Sequence, residues 1–285
     1  MIIDAIKSRR QQFTAAQPAI IDYLMSMKRS NGYWSSTANG EPGQPIETCL
    51  VLTALLSFSC SEGMPVGRKL IDDFLQGTWP SVLDSTYAVS LLLTFAAAHY
   101  SDSSAILQMS TILSEGACRG ANGNVVGWSA STGMRVSMNG APTEGVSQEG
   151  LAPSIAHTAY ALAALTAAGR SLMEEASFPK LDTDECVAFL LEQSWDLTSE
   201  NIMEDGDKSL LCSHNTPAIG ILALLRSGVS PSHDRLVRGV RAIVDSQDAG
   251  LWDFGSIRRP SWCTLSNVLA LRAYSEASEL SRNHS

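Results

Sequence analysis

Five threonines, Thr48, Thr86, Thr158, Thr216 and Thr264, each stand at the head of a run that is apolar on nearly every face. The runs read ETCLVLTALL from Glu47, STYAVSLLLTFAAA from Ser85, HTAYALAALTAAG from His157, NTPAIGILALL from Asn215 and CTLSNVLALRAY from Cys263. A helix that is apolar all round has to be enclosed by other helices. Thr, Ser, Asp and Asn at its start are N-cap chemistry, because a side-chain oxygen accepts from the backbone N–H groups of the first turn. Pro217, just inside the fourth start, fits the first-turn preference of proline.

Between these runs lie segments with one polar and one apolar face: Ala19–Lys28, Lys69–Leu75, Ala105–Leu113, Glu185–Glu192 and Arg235–Val244. Their spacing predicts outward-facing helices. Several are followed by a turn ending in Trp: Asn31-Gly32-Tyr33-Trp34, Val126-Gly127-Trp128 and Gln247-Asp248-Ala249-Gly250-Leu251-Trp252, with Ser194-Trp195 as a degenerate copy. The repeating unit is therefore outer helix, Trp turn, loop, inner helix. One such hairpin cannot bury its apolar face alone, so neighbours must stack. The expected fold is all-α: an α/α toroid of five to six helical hairpins, spanning residues 1–285 as a single domain. Residues 1–18 are expected to add an extra helix, 116–150 a long loop rich in Gly, Ser and Asn, and 276–285 a fraying tail. A charged content of only 17% against 45% apolar suits that much buried surface.

The turns Lys28-x3-Gly32-x-Trp34 and Gln247-x2-Gly250-x-Trp252 are similar to the Gln-x3-Gly-x-Trp turn of the prenyltransferase and squalene-cyclase repeat superfamily. The first lacks the Gln and the second is one residue short. The chain resembles that superfamily from about Ala19 to Tyr274, and closest in motif is a β-type domain of class II (proton-initiated) terpene cyclases. The resemblance implies an α/α toroid with its site at one mouth. The superfamily also includes thioester-containing complement domains, but their Cys-Gly-Glu-Gln motif is absent here.

Residues just before each threonine are expected to converge on that mouth. Val82-Leu83-Asp84-Ser85-Thr86 is similar to the Asp-x-Asp-Asp-Thr-Ala acid motif of these cyclases, and closer to the Val-Ser-Asp-Cys-Thr form of their epoxide-opening branch. The resemblance implies that Asp84 is a proton donor. Two of its acidic neighbours are missing, since Val82 and Ser85 occupy those positions. A plain N-cap role for Asp84 is the competing reading. His157 and His214 complete the candidate catalytic set. Candidate substrate-binding residues are Ser85, Tyr87, Tyr160, Asn215, Trp262, Cys263 and Glu47. Aromatic faces among them stabilise cations.

Ala156-His157-Thr158-Ala159-Tyr160 and Glu47-Thr48-Cys49 also look like the His-Thr-Cys-Tyr and Asp-x-Cys zinc segments of protein prenyltransferase β subunits. That resemblance implies, as an alternative, zinc at Cys49 and His157, with Cys212 and His214, expected on the same rim, completing the site. Hydrogen-bonded rim histidines and small buried cysteines are the competing readings. Trp34, Trp128 and Trp252 are expected to staple helix pairs. Asp182-Thr183-Asp184-Glu185 is expected to be cap and dipole chemistry at a helix start.

The leading expectation is a metal-free, cofactor-free enzyme that holds an apolar isoprenoid or polyene and cyclises or isomerises it by protonation from Asp84. The alternatives are the zinc-dependent transferase and a non-catalytic toroid that binds a ligand or protein. A net charge of −9 without a Lys/Arg run argues against a nucleic-acid partner. The apolar runs are too short for a membrane span. The start of the chain does not read as a signal peptide. Six cysteines without paired spacing read as reduced thiols, so the expected location is cytoplasmic.

Overall fold

The computed structural model describes residues 2–34, 48–49, 51–53, 55, 60–76, 84–100, 103–133, 135–136, 142–143, 152–172, 178–179, 181–193, 199–201, 213–245 and 262–283. These residues are mostly helical, with three two-stranded antiparallel sheets. The chain divides into two compact units: Met27–Glu192, and Met1–Ser26 together with Gln193–Ser285.

Helix α1 (Ile2–Ser26) opens the chain. Sequence reading placed a break between residues 1–18 and Ala19–Lys28, but the helix runs through Pro18. Proline removes the N–H that would bond to Thr14 four residues back. Both residues are exposed, where solvent satisfies the freed carbonyl.

In the Met27–Glu192 unit, helical residues 48–49, 51–53 and 55 are followed by α2 (Met64–Leu75), α3 (Thr86–His99) and α4 (Ser103–Glu115). Two hairpins come next: β1 (Ala117–Arg119) with β2 (Val125–Trp128), and β3 (Arg135–Val136) with β4 (Pro142–Thr143). Helices α5 (Ile155–Ser171) and α6 (Asp184–Glu192) complete the unit. The stretch expected as one long loop at 116–150 therefore contains paired strands.

Helices α3 and α5 pack side by side as the core, α4 lies against both, α2 packs on α3, and α6 covers β2 and α5. Leu91, Leu92 and Leu93, consecutive and so on different faces of α3, are all buried, as are Leu162 and Leu165 of α5. Each contributes about 2 kcal/mol of apolar transfer free energy.

The other unit joins α1 to β5 (Ser199–Asn201), β6 (Ser213–Asn215), α7 (Thr216–Arg226), α8 (Asp234–Asp245) and α9 (Trp262–Asn283). Helix α1 packs on α8 and α9, and α7 packs on both of those. Arg9 of α1 donates to the Val244 carbonyl in the last turn of α8. The tail expected to fray from residue 276 is helical through Asn283.

The recurrent threonine does not do what its position promised. Ser85, not Thr86, caps α3, accepting from the Ala88 N–H at 3.2 Å. Helix α5 begins at Ile155, three residues before Thr158. Instead, the Thr48 hydroxyl accepts from the backbone N–H of Trp34, and the Thr158 hydroxyl from that of Trp128, each at 3.0 Å. All four residues are fully buried. Each Trp closes a two-stranded turn, Lys28 opposite Trp34 and Ala117 opposite Trp128. A buried N–H has to be paired, and threonine in the next core helix supplies the acceptor. The Trp128 indole also donates to the Leu113 carbonyl at 2.6 Å, tying the hairpin to α4. Lys28, where the resembling turn has Gln, sets its ammonium 5.4 Å from the Trp34 ring centroid. Thr86 departs from the rule, for its buried hydroxyl has no partner.

Two substitutions test this latch. Thr158→Val keeps the shape and strands the Trp128 N–H, so stability should fall by about 1–3 kcal/mol in urea unfolding. Gly127→Ala would set a Cβ 2.5 Å from the Thr158 hydroxyl oxygen and 2.5 Å from Pro153. It should cost about 1–3 kcal/mol, and the cost should shrink when Thr158 is also made Ala.

Candidate functional site

After Trp128 the chain crosses the heads of both core helices. The Trp128 carbonyl accepts from the Ser154 N–H at the start of α5. Two residues on, the Ala130 carbonyl accepts from the Thr86 N–H at the start of α3, and the Thr132 N–H donates back to the Asp84 carbonyl. One short strap, residues 128–133, thus holds two helix N-termini at one end of the unit. Helix N-termini present positive dipole ends. Gly116 lets the strap approach, since a Cβ there would lie 2.6 Å from the Thr132 carbonyl oxygen.

That end gathers Asp84, Ser85, Tyr87, His157 and Tyr160 from the sequence-derived set. Asp84 is exposed and does not cap α3, because Ser85 does. Its carboxylate accepts from the Ser131 hydroxyl. Ser131 Oγ itself accepts from the Gly133 N–H at 2.9 Å, which directs the hydroxyl hydrogen to Asp84. Tyr87 is buried and meets Tyr160 edge to face, with ring centroids 4.7 Å apart. His157 is buried, and its Nδ1 lies 3.0 Å from Ser154 Oγ.

Ser131 and Ser154 were missed by sequence reading. The signal for Ser154 was present as a serine three residues before a histidine at a helix start. Ser131 carried none, because its role comes from the strap's path.

His214 and Asn215 lie in β6, where His214 pairs with Glu200. Expected just before the last helix, Trp262 and Cys263 instead form its first turn. Strand β6 packs against α9, so these four residues belong to the unit that contains α1. Glu47 and Cys212 lie outside the described residues.

Among the described residues, no group of three His, Cys, Asp or Glu side chains is arranged to hold a metal ion. Cys49 is buried, and burial pushes its thiol far above the ordinary range, as befits a small apolar core residue. Cys186 donates to the Val125 carbonyl and is pushed up to about 12, chiefly by burial. Burial also raises Cys118, against the pull of hydrogen bonds from Ser129.

The acidic stretch before α6 acts locally. Asp182 accepts from the Asp184 N–H. Glu185 accepts from the Asn122 and Asn124 amides at 2.8 and 2.9 Å, which lower its carboxyl and tie α6 to the hairpin tip.

No family model, curated protein or solved structure matches the chain. No described helix is long and apolar enough to cross a membrane.

The thiols give a pH prediction. A raised folded-state value means that the unfolded chain ionises first. Their contribution should be complete below about pH 8.5 and decline above it, for Cys186 up to about 12. Urea midpoints measured against pH should show this decline, and Cys186→Ala should flatten it. Native protein at pH 8 should leave Cys49, Cys118 and Cys186 unlabelled by a thiol reagent, and unfolding should expose all three.

Proposed function

We propose that the paired helices close into an α/α toroid and that the protein is a terpenoid-cyclase-like enzyme. It takes an apolar isoprenoid or polyene at the end where the 128–133 strap meets α3 and α5. Asp84 delivers the proton that starts cyclisation or isomerisation, and Tyr87 and Tyr160 face the cation that forms. The observation that carries this reading is the hydrogen bond from Ser131 to an Asp84 left free of capping duty, at the same helix heads as the tyrosine pair. Aromatic faces attract cations at about 0.5–2 kcal/mol each.

The exposure of Asp84 favours a second reading, in which the same end binds such a ligand without converting it. An acid that protonates an alkene has to stay neutral until it reacts, and burial is the usual means.

Purified protein incubated with linear isoprenoids from farnesol to squalene separates the two, with products resolved by gas chromatography and mass spectrometry. The enzymatic reading expects a cyclic or isomerised product that Asp84→Asn reduces by at least about 100-fold. Ser131→Ala should reduce it less, because the carboxyl group itself remains. Ligand-dependent stabilisation without any product would support the binding reading. Neither product nor stabilisation across the series would sink both.

A further inference from the structure

We propose that Ser154 and His157 form a nucleophile–base pair that cleaves uncharged carboxylic esters, an activity that does not rest on the isoprenoid reading. Ser154 is the N-cap residue of α5, yet its side chain makes no capping bond. Its counterpart Ser85 on α3 does make one. Forgoing a cap is destabilising, so the side chain is held for another partner. Ser154 Oγ instead lies 3.0 Å from His157 Nδ1, within reach for proton transfer. The two residues are three apart at a helix start, so they share one side of the first turn. His157 is 6% exposed, whereas Ser154 is half-buried. The base is shielded while the hydroxyl stays within reach of a ligand.

The remaining requirement is a site for the oxyanion. The first N–H groups of a helix have no intrahelical acceptor. At α5 the Ser154 side chain does not take them, and the Ile155 N–H directly follows the nucleophile. Nucleophilic serines elsewhere use the N–H of the next residue in this way. The positive end of a 17-residue helix favours charge developing there.

In the Nε2–H tautomer, His157 Nδ1 takes the Ser154 proton as Oγ attacks the ester carbonyl carbon. The tetrahedral intermediate collapses, its bond to the alcohol oxygen breaks, and the proton on His157 passes to the departing alkoxide. Water, deprotonated by the same nitrogen, then adds to the acyl carbon; the bond from that carbon to Ser154 Oγ breaks, releasing the acid, and His157 returns its proton to Oγ. Tyr160, one turn further along α5 and packed edge to face on the buried Tyr87, gives the neighbouring surface an aromatic character. The chain's charge of −9 opposes anionic substrates. An uncharged ester with an apolar group fits both.

Two probes test this on the full chain: a fluorophosphonate, with the adduct mapped by mass spectrometry, and p-nitrophenyl acetate hydrolysis. The expected adduct is on Ser154, absent from Ser154→Ala, and formed at least about 100-fold more slowly by His157→Gln. Ser154→Ala loses its bond to His157 but no capping bond and should stay folded, with a modestly lower melting temperature, so it remains informative even if His157→Gln fails to fold. The proposal is overturned by folded wild-type protein that takes no label on Ser154, by labelling that a folded His157→Gln variant leaves unchanged, or by undiminished p-nitrophenyl acetate hydrolysis in Ser154→Ala.

Discussion

The architecture of the Met27–Glu192 unit depends on a backbone amide that has nowhere else to go. A tryptophan that closes a tight turn and is driven into the core by its indole carries its own N–H with it. In a dry interior that group needs an acceptor. Thr48 and Thr158 provide one from the following core helix, so each Trp turn is fastened to that helix by one directional bond on top of non-directional apolar packing. Leucines and alanines alone would let a helix rotate or slide at little cost, whereas a single hydrogen bond of fixed geometry selects one register.

The polar end of the unit follows from the same bond. Fixing Trp128 against α5 sets where the chain leaves β2, and the next five residues then lie across α3. Backbone bonds from Thr86 and Thr132 hold the strap, which leaves serine side chains on it for other tasks. Asp84 is available to Ser131 only because Ser85 satisfies the helix end. Division of labour between adjacent residues, one capping and one reaching outward, turns an ordinary helix start into a place where a carboxylate, hydroxyls, an imidazole and two phenols meet.

The repeat was legible because helical burial leaves a strong periodic trace. Runs such as STYAVSLLLTFAAA have no polar face, and both α3 and α5 are enclosed as that pattern requires. The recurrence of Thr was also legible, but its cause was not. Capping and latching both place a hydroxyl near a helix start, and only coordinates distinguish a donor in the same helix from one thirty residues away. The β1–β2 hairpin escaped because its strands are three and four residues long. Its Asn122-Gly123 tip, with Gly123 at φ 80°, was the available turn signal. Pro18 misled in the opposite direction, since a proline on an exposed helix face need not end the helix. Of the site, the residues of α3 and α5 were foreseeable from their positions before and after each threonine. Strap serines were not, because nothing periodic marks a segment whose role is to cross from one helix head to another.

Helix α1 packs against α8 and α9, although the whole of Met27–Glu192 separates them in sequence. During synthesis the helices of the intervening unit emerge together with those they pack on within it, and the unit can fold on the ribosome. Helix α1 is made before that unit and waits longer for its own partners. Its apolar residues Ile6, Ile20 and Leu24, all buried in the finished structure, stay without the partners of their own unit until α8 and α9 arrive. An early-made helix with late-made partners is a natural client for a chaperone.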